Sequence, residues 1–349
     1  QLQRELAAAR RAAPPELAAA LAEAERLRAQ MLQVQRDLLE TLTQLRPSEA
    51  AVAALADVPR HVAPPRALVF GEQAHATAGI EPFICVTRQS VLQGKIEGLA
   101  AIRREVEALG NPEVSLCMRY VLDQEAGTNP TIFQAGGPMM DCDSSGVLLP
   151  ERRLPNGRGM RLADFVAHAN SVAAQLEEAH VAALRLYTTA AFRAINDPLR
   201  DQERRRAQRP HPLPITVALI YDAAGWLRTA CAQGRGANDT ISLFRGLCDA
   251  VPPPGFMEHG GTEFAPMSFT RDVDVAVGFA AGGGHATVLR ARTANAVERG
   301  ADVAYLSVYP GEQESLYPPL TYLRPIDTPA PVTIVSSNVQ IRVIDVTVR

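Results

Sequence analysis

The stretch YPGEQESLYPP, Tyr309 to Pro319, sets two carboxylates two residues apart between a Pro-Gly turn and a Pro-Pro stop. Side chains of an extended chain repeat every two residues, so Glu312 and Glu314 face the same way, roughly 6 to 7 Å apart. At an effective dielectric near 20, like charges at that distance repel by about 2.5 kcal/mol. Such a pair belongs in open water, as a plain surface turn, or beside something positive. Two earlier segments bear on the choice. SLFRG, Ser242 to Gly246, is an apolar strand carrying one arginine, Arg245, before a glycine. In TEFAPMSFTRDVDVAVGFA, from Thr262, a strand ends in Ser268 and a helix begins near Thr270 with Asp272 in its first turn. Arginine, serine and paired glutamate on successive strands are expected to line one cleft.

Composition narrows the classes. At 349 residues and 47% hydrophobic, the chain buries a substantial core as one large domain or two smaller ones. A net charge of -3, with Lys95 the sole lysine, gives no sign of nucleic-acid affinity. Aromatics at 5% with one tryptophan are a poor supply of stacking platforms for polysaccharides. Cys85, Cys117, Cys142, Cys231 and Cys248 show no CxxC spacing, so neither a zinc site nor a disulfide framework is expected, and the reducing cytoplasm is the expected compartment. No apolar run approaches the roughly 18 residues of a membrane span, and no signal peptide is seen. The chain opens on Gln1 rather than Met, as a fragment does.

Three regions are expected. Residues 1–46 are expected to hold a long amphipathic helix, Glu16 to Leu45, whose seam Leu17, Ala20, Ala24, Leu27, Met31, Val34, Leu38 and Leu45 suits either coiled-coil self-association or docking on its own domain. Residues 60–160 read as a mixed α/β region. It has strand-like ALVF and FICV, a helix over Val91 to Leu109, a hairpin over Val114 to Gln134, a turn at DCDSSG (Asp141 to Gly146), and an exposed linker at PERRLPNGRGM (Pro150 to Met160). Residues 161–349 are helical to about Arg200, then carry a charged loop over Asp201 to Pro210, a helix around Val217 to Gln233, and short strands ending in the β-branched run Thr333 to Val348. Helices first and strands last predict α+β. No GxGxxG after a strand, GxxxxGK[ST], HExxH or GxSxG occurs. Asn238 lies in an NDT sequon, with nothing to indicate secretion.

In their order and spacing these elements resemble the arginine-serine-glutamate (ExE) class of mono-ADP-ribosyltransferases, which includes bacterial toxins and vertebrate ectoenzymes. ALRLYTTAAFRAINDPLR, Ala183 to Arg200, resembles the helix that opens that domain, and PGEQESLYPPLTYL, Pro310 to Leu323, is similar to its catalytic strand. The resemblance covers roughly Arg161 to Arg349. It implies a split β-sandwich with N-terminal helices, and transfer of ADP-ribose from NAD to arginine, on a protein or a small guanidino acceptor, with release of nicotinamide. Within it, Glu314 accepts the ribose 2′-hydroxyl and stabilises an oxocarbenium-like cation, the kind of centre that glycosidases flank with carboxylates. Glu312 pairs with the incoming guanidinium. Ser268 holds Glu314 and a ribose hydroxyl, Arg245 the phosphates or adjacent ribose. Gly246 leaves backbone bare for the nicotinamide amide, Phe279 packs on nicotinamide, and Tyr309 touches the target. Tyr187 approaches the adenosine or is simply buried.

Two departures stand out. The usual Ser-Thr-Ser reads Ser268-Phe269-Thr270, and the loop after Phe279 is AAGGGH, with His285 the only basic candidate for phosphate. NAD hydrolysis without an acceptor, and a non-catalytic interaction module on the same fold, are therefore the alternatives.

Overall fold

The computed structural model describes residues 26, 66–67, 70–71, 79–128, 140–143, 145–232, 240–248, 250–280, 286–326, 332–336 and 339–348. The chain forms two compact units, Gln1–Ala50 and Ala51–Arg349. Of the first, only Arg26 is described, and it is helical. The seam expected over Glu16 to Leu45 otherwise lies outside the described residues, as do Asn238 and the GGGH stretch.

The second unit begins, after the short strands β1 (Arg66–Ala67) and β2 (Phe70–Gly71), with helices α1 (Glu81–Ile84), α2 (Arg88–Glu97), α3 (Leu99–Leu109) and α4 (Pro112–Asp123). Three expectations are corrected here. FICV is not a strand: Pro82 sits in the first turn of α1, and left-handed Cys85 ends it. The helix over Val91 to Leu109 is two, broken where Gly98 takes φ +57°. The hairpin at Val114 is helix α4, because the Asn111 side chain accepts from the Glu113 and Val114 amides while Pro112 pre-sets the first turn. Val114, Cys117, Met118 and Val121 are then buried at the i, i+3, i+4, i+7 spacing of one helix face.

Helices α5 (Leu162–Val166), α6 (Ala169–Ala173), α7 (Glu178–Tyr187), α8 (Phe192–Arg200), α9 (Gln202–Arg206) and α10 (Pro214–Ala232) follow. The charged loop after Arg200 contains α9, whose first turn the Asp201 side chain caps through the Arg204 amide. Helix α10 is capped from a distance: Glu105 on α3 accepts from the Ile215 amide at 2.6 Å and from the Thr216 amide and hydroxyl at 3.0 and 2.7 Å.

The remainder is mainly sheet, with α11 (Phe256–His259) and α12 (Val273–Ala280) between strands β3 (Ile241–Cys248), β4 (Ala250–Val251), β5 (Gly261–Glu263), β6 (Met267–Thr270), β7 (Ala286–Thr293), β8 (Ala301–Asp302), β9 (Glu314–Tyr317), β10 (Thr321–Pro325), β11 (Val332–Ser336) and β12 (Val339–Val348). The architecture is α+β, as the order of elements predicts. The main sheet runs β2-β5-β10-β12-β7-β3-β6-β9-β8, with β11 added to β12. Its weak seam is between β3 and β6, which share only the Phe244↔Thr270 pair, whereas β3 and β7 pair over eight positions. The sheet is thus nearly split in two.

Two cores result. A large one joins Ile80 through Leu227 on the helices to Phe264, Val303, Leu306, Val308, Leu316 and Leu320, so residues before 160 pack into the same interior as those after it. The smaller one lies within the sheet layer and contains Leu243, Leu247, Met267, Phe269, Leu289, Tyr317 and Ile344. Period-two alternation sorts β6: Met267 and Phe269 enter the small core, while Ser268 and Thr270 face the other way.

Helix α12 lies directly on β3 at Gly246. A Cβ built there would fall 1.7 Å from the Ala276 carbonyl oxygen and 2.7 Å from the Ala280 nitrogen. Gly246→Ala is expected to force the helix off the strand and destabilise the fold by about 1–3 kcal/mol, the usual cost of overpacking. A denaturant midpoint unchanged from wild type would show that the helix can give way.

Candidate active site

The seam is where the sequence-selected residues meet. Ser268 on β6 opposes Leu316, and Thr270 opposes Glu314 on β9. Ser268 and Glu314 are therefore diagonal neighbours on one face, within reach of each other. The Ser268 hydroxyl donates to Glu314 Oε1. From β3, Arg245 Nη1 donates to the Ser268 carbonyl at 2.9 Å. Arg245, Ser268 and Glu314, from three strands, share one hydrogen-bonded cluster in which Glu314 is only 5% exposed.

Sequence reasoning missed the support behind this cluster. Glu263, 2% exposed on β5, lies 3.9 Å from Arg245 Nη2 and accepts a bidentate pair from Arg200 Nε and Nη2 at 3.0 and 2.9 Å. One buried carboxylate thereby steadies two guanidinium groups. The only hint in sequence is a glutamate inside the short segment Gly261 to Phe264, where a charge is out of place. Tyr187, at the end of α7, is buried, but not idly. Its hydroxyl meets Ser268 Oγ at 3.3 Å, donates to the Pro266 carbonyl at 3.1 Å, and lies 3.5 Å from Asn196 Nδ2.

The glutamates do not lie on one extended strand. Glu312 ends a 3₁₀ turn, Pro310–Glu312, and Gln313 takes φ +46°, ψ +48° before β9 begins at Glu314. A left-handed non-glycine residue between the two carboxylates is a strained conformation that persists only when its surroundings hold it. The Thr270 hydroxyl does so from β6, donating to the Glu312 carbonyl at 2.6 Å. Tyr309, which precedes the turn, is half-buried against the large core, and burial, then the Glu312 charge, push its hydroxyl up to about 12.

Of the two departures, only the first lies among the described residues, and it does not obstruct the cluster. Phe269 is 2% exposed and meets Tyr317 edge-on at 5.3 Å, on the face away from Ser268. Gly246 owes its missing side chain to α12. Phe279, on the same helix, stands 56% exposed. The loop bearing His285 is outside the described residues.

Both carboxyl groups are held well above their ordinary value of 4.5. Burial pushes Glu314 to about 7 against the opposing pull of the Ser268 hydroxyl and Arg245, and burial together with the Glu314 charge pushes Glu312 to about 8. The folded state therefore binds more protons than the unfolded chain between pH 4.5 and 8. The stability these two groups contribute is full below 4.5 and is lost as pH rises through 7 and 8. The melting temperature is expected to fall from pH 5 to pH 8.5, and the fall to shrink in Glu312→Gln and Glu314→Gln. Variants that kept the wild-type slope would place its origin elsewhere.

No described helix is long and apolar enough to cross a membrane, and no group of three or more His, Cys, Asp or Glu among the described residues is placed to hold a metal ion. Neither a family model nor a curated relative matches the sequence. Among solved structures, the chain is similar to ADP-ribosyltransferase HopU1 of Pseudomonas syringae pv. Tomato DC3000, at 18% identity over 54% of this chain and 88% of that one, with a TM-score of 0.38. It is similar to the Vis toxin, an ADP-ribosyltransferase from Vibrio splendidus, at 14% identity over 53% of this chain and 81% of that one, with a TM-score of 0.35. It is also similar to a mutant of the eukaryotic mono-ADP-ribosyltransferase ART2.2 in complex with NAD, at 14% identity over 54% of this chain and 82% of that one, with a TM-score of 0.36.

Proposed function

We propose that the chain is an NAD-dependent mono-ADP-ribosyltransferase that transfers ADP-ribose to arginine and releases nicotinamide. The observation that carries this reading is the Ser268 hydroxyl donating to buried Glu314 while Arg245 holds the backbone of the same serine. A buried carboxylate fixed in advance stabilises a forming cation without reorganising. In the proposed step the bond between nicotinamide and the ribose C1′ breaks, its electron pair leaving with nicotinamide. A guanidinium nitrogen then bonds to C1′, and its proton passes to Glu312. Both carboxyl groups titrate near neutral pH, where acid-base groups work best. Arg245 supplies a planar donor fork for phosphate or ribose oxygens, and exposed Phe279 offers a flat apolar ring for nicotinamide.

The test is incubation of the full chain with NAD and agmatine, following nicotinamide and ADP-ribosyl-agmatine together. Equal, acceptor-dependent appearance of both is expected. Nicotinamide without the adduct would make the protein a glycohydrolase. Neither product, with no thermal shift at saturating NAD, would leave an interaction module, since a ligand that binds the folded state must stabilise it.

A further inference from the structure

The turn at Asp141 and the basic segment from Pro150 to Met160, the latter expected to be a linker or exposed loop, contribute Asp141 and Arg152 to a buried charge cluster. Asp141 is fully buried and accepts from Arg152 Nε at 2.9 Å, Arg185 Nη2 at 3.0 Å and the Tyr120 hydroxyl at 2.7 Å. Two guanidinium groups face one carboxylate, so positive charge is in excess. It is met by the Phe165 ring, 3.8 Å from the Arg185 guanidinium carbon and 5.5 Å from that of Arg152. Further donors reach one short piece of backbone. Arg152 Nη2 donates to the Ala304 and Ser307 carbonyls, each at 2.8 Å, and Arg185 Nη1 to the Leu306 carbonyl at 2.7 Å. The Asp141 amide donates to the Val308 carbonyl at 2.7 Å, and the Val308 amide to Thr188 Oγ1 at 3.1 Å.

We infer that Asp141, Arg152 and Arg185 are positioning residues that fix residues 304–308 and thereby set the Tyr309–Glu312 turn against its acceptor. The turn is anchored at both ends: the cluster holds the chain entering it, and Thr270 holds Glu312 where it leaves. Glu314 is held by other bonds: the Val303 amide donates to its carbonyl at 3.1 Å, β9 pairs with β6 and β8, and Ser268 holds its side chain. Loosening residues 304–308 therefore slackens the entry to the Glu312 turn while the bonds on Glu314 remain, and acceptor transfer suffers before cleavage of NAD does. This gives the segment before Arg161 a part in the reaction, and it rests on the proposed transfer to arginine.

The experiment uses the full chain with Arg152→Lys, which keeps the charge but loses the planar fork that joins Asp141 to the two carbonyls, and with the milder Tyr120→Phe should the first not fold. Hydrogen exchange of the amides of residues 304–309 and 311–312 is expected to quicken about ten-fold or more in Arg152→Lys, less in Tyr120→Phe, with β3 and β7 unchanged. The ratio of ADP-ribosyl-agmatine to free nicotinamide is expected to fall about ten-fold, with a raised KM for agmatine and an unchanged KM for NAD. Exchange that quickens everywhere equally, or a product ratio equal to wild type despite a loosened loop, overturns the inference. If the wild type does not cleave NAD, the proposed function falls, and the exchange pattern alone still decides whether the cluster holds the turn.

Discussion

Glu314→Gln is expected to lower nicotinamide release by about 10²- to 10³-fold or more, while the Kd for NAD stays within about threefold of wild type. The substitution keeps the shape of the side chain and an oxygen to accept from Ser268, so the pocket is preserved. What disappears is the negative charge, and that charge matters most when the ribosyl cation forms. An interaction that strengthens only in the transition state appears in kcat rather than in ground-state binding. Burial magnifies the effect, because a carboxylate on the edge of an apolar core is not screened by water as a surface charge is. Turnover in Glu314→Gln matching wild type would remove the assignment of this residue and, with it, the reason to read the seam as a reaction centre.

Glu312→Gln is expected to separate two reactions that Glu314→Gln loses together. Transfer to agmatine falls by about 10²-fold, the lower range for a missing general base, while hydrolysis of NAD stays within a few-fold of wild type. Water needs little help once the cation has formed, but a guanidinium must be brought up, paired and relieved of a proton. The raised value of Glu312, about 8 before an acceptor arrives, also gives the two reactions different pH profiles. Hydrolysis follows Glu314 and rises through about pH 7, whereas transfer rises later, through about pH 8, until the arriving guanidinium favours the ionised carboxylate. Equal losses of both reactions, or identical profiles, would deny Glu312 a part in acceptor handling.

The pieces of the candidate site legible in the sequence are those fixed by local rules. Arg245, Ser268 and Glu314 each sit in or beside a short strand whose alternation shows which side chains share a face, and Asp272 marks the start of the helix that follows. Alternation also accounts for Phe269, whose bulk looked troublesome beside Ser268 but belongs to the opposite face and the small core. The Val114 stretch misled because β-branched and aromatic residues read as strand, while the Asn111 cap and Pro112, one turn earlier, committed it to helix.

The chain's own order of residues determined the α+β class, the strands carrying the cluster and the chemical character of its groups, because these follow from side-chain periodicity, caps and turns acting over a few residues. Only the tertiary structure decided which polar groups became buried partners. Glu263 and Arg200 are 63 residues apart, and Arg152 meets the Ala304 and Ser307 carbonyls across 152 and 155 residues. In sequence, Asp141 and Arg152 look like any turn aspartate and loop arginine. They differ from their neighbours because folding removes them from water, and a charge without water is stable only beside a partner that distant parts of the chain supply.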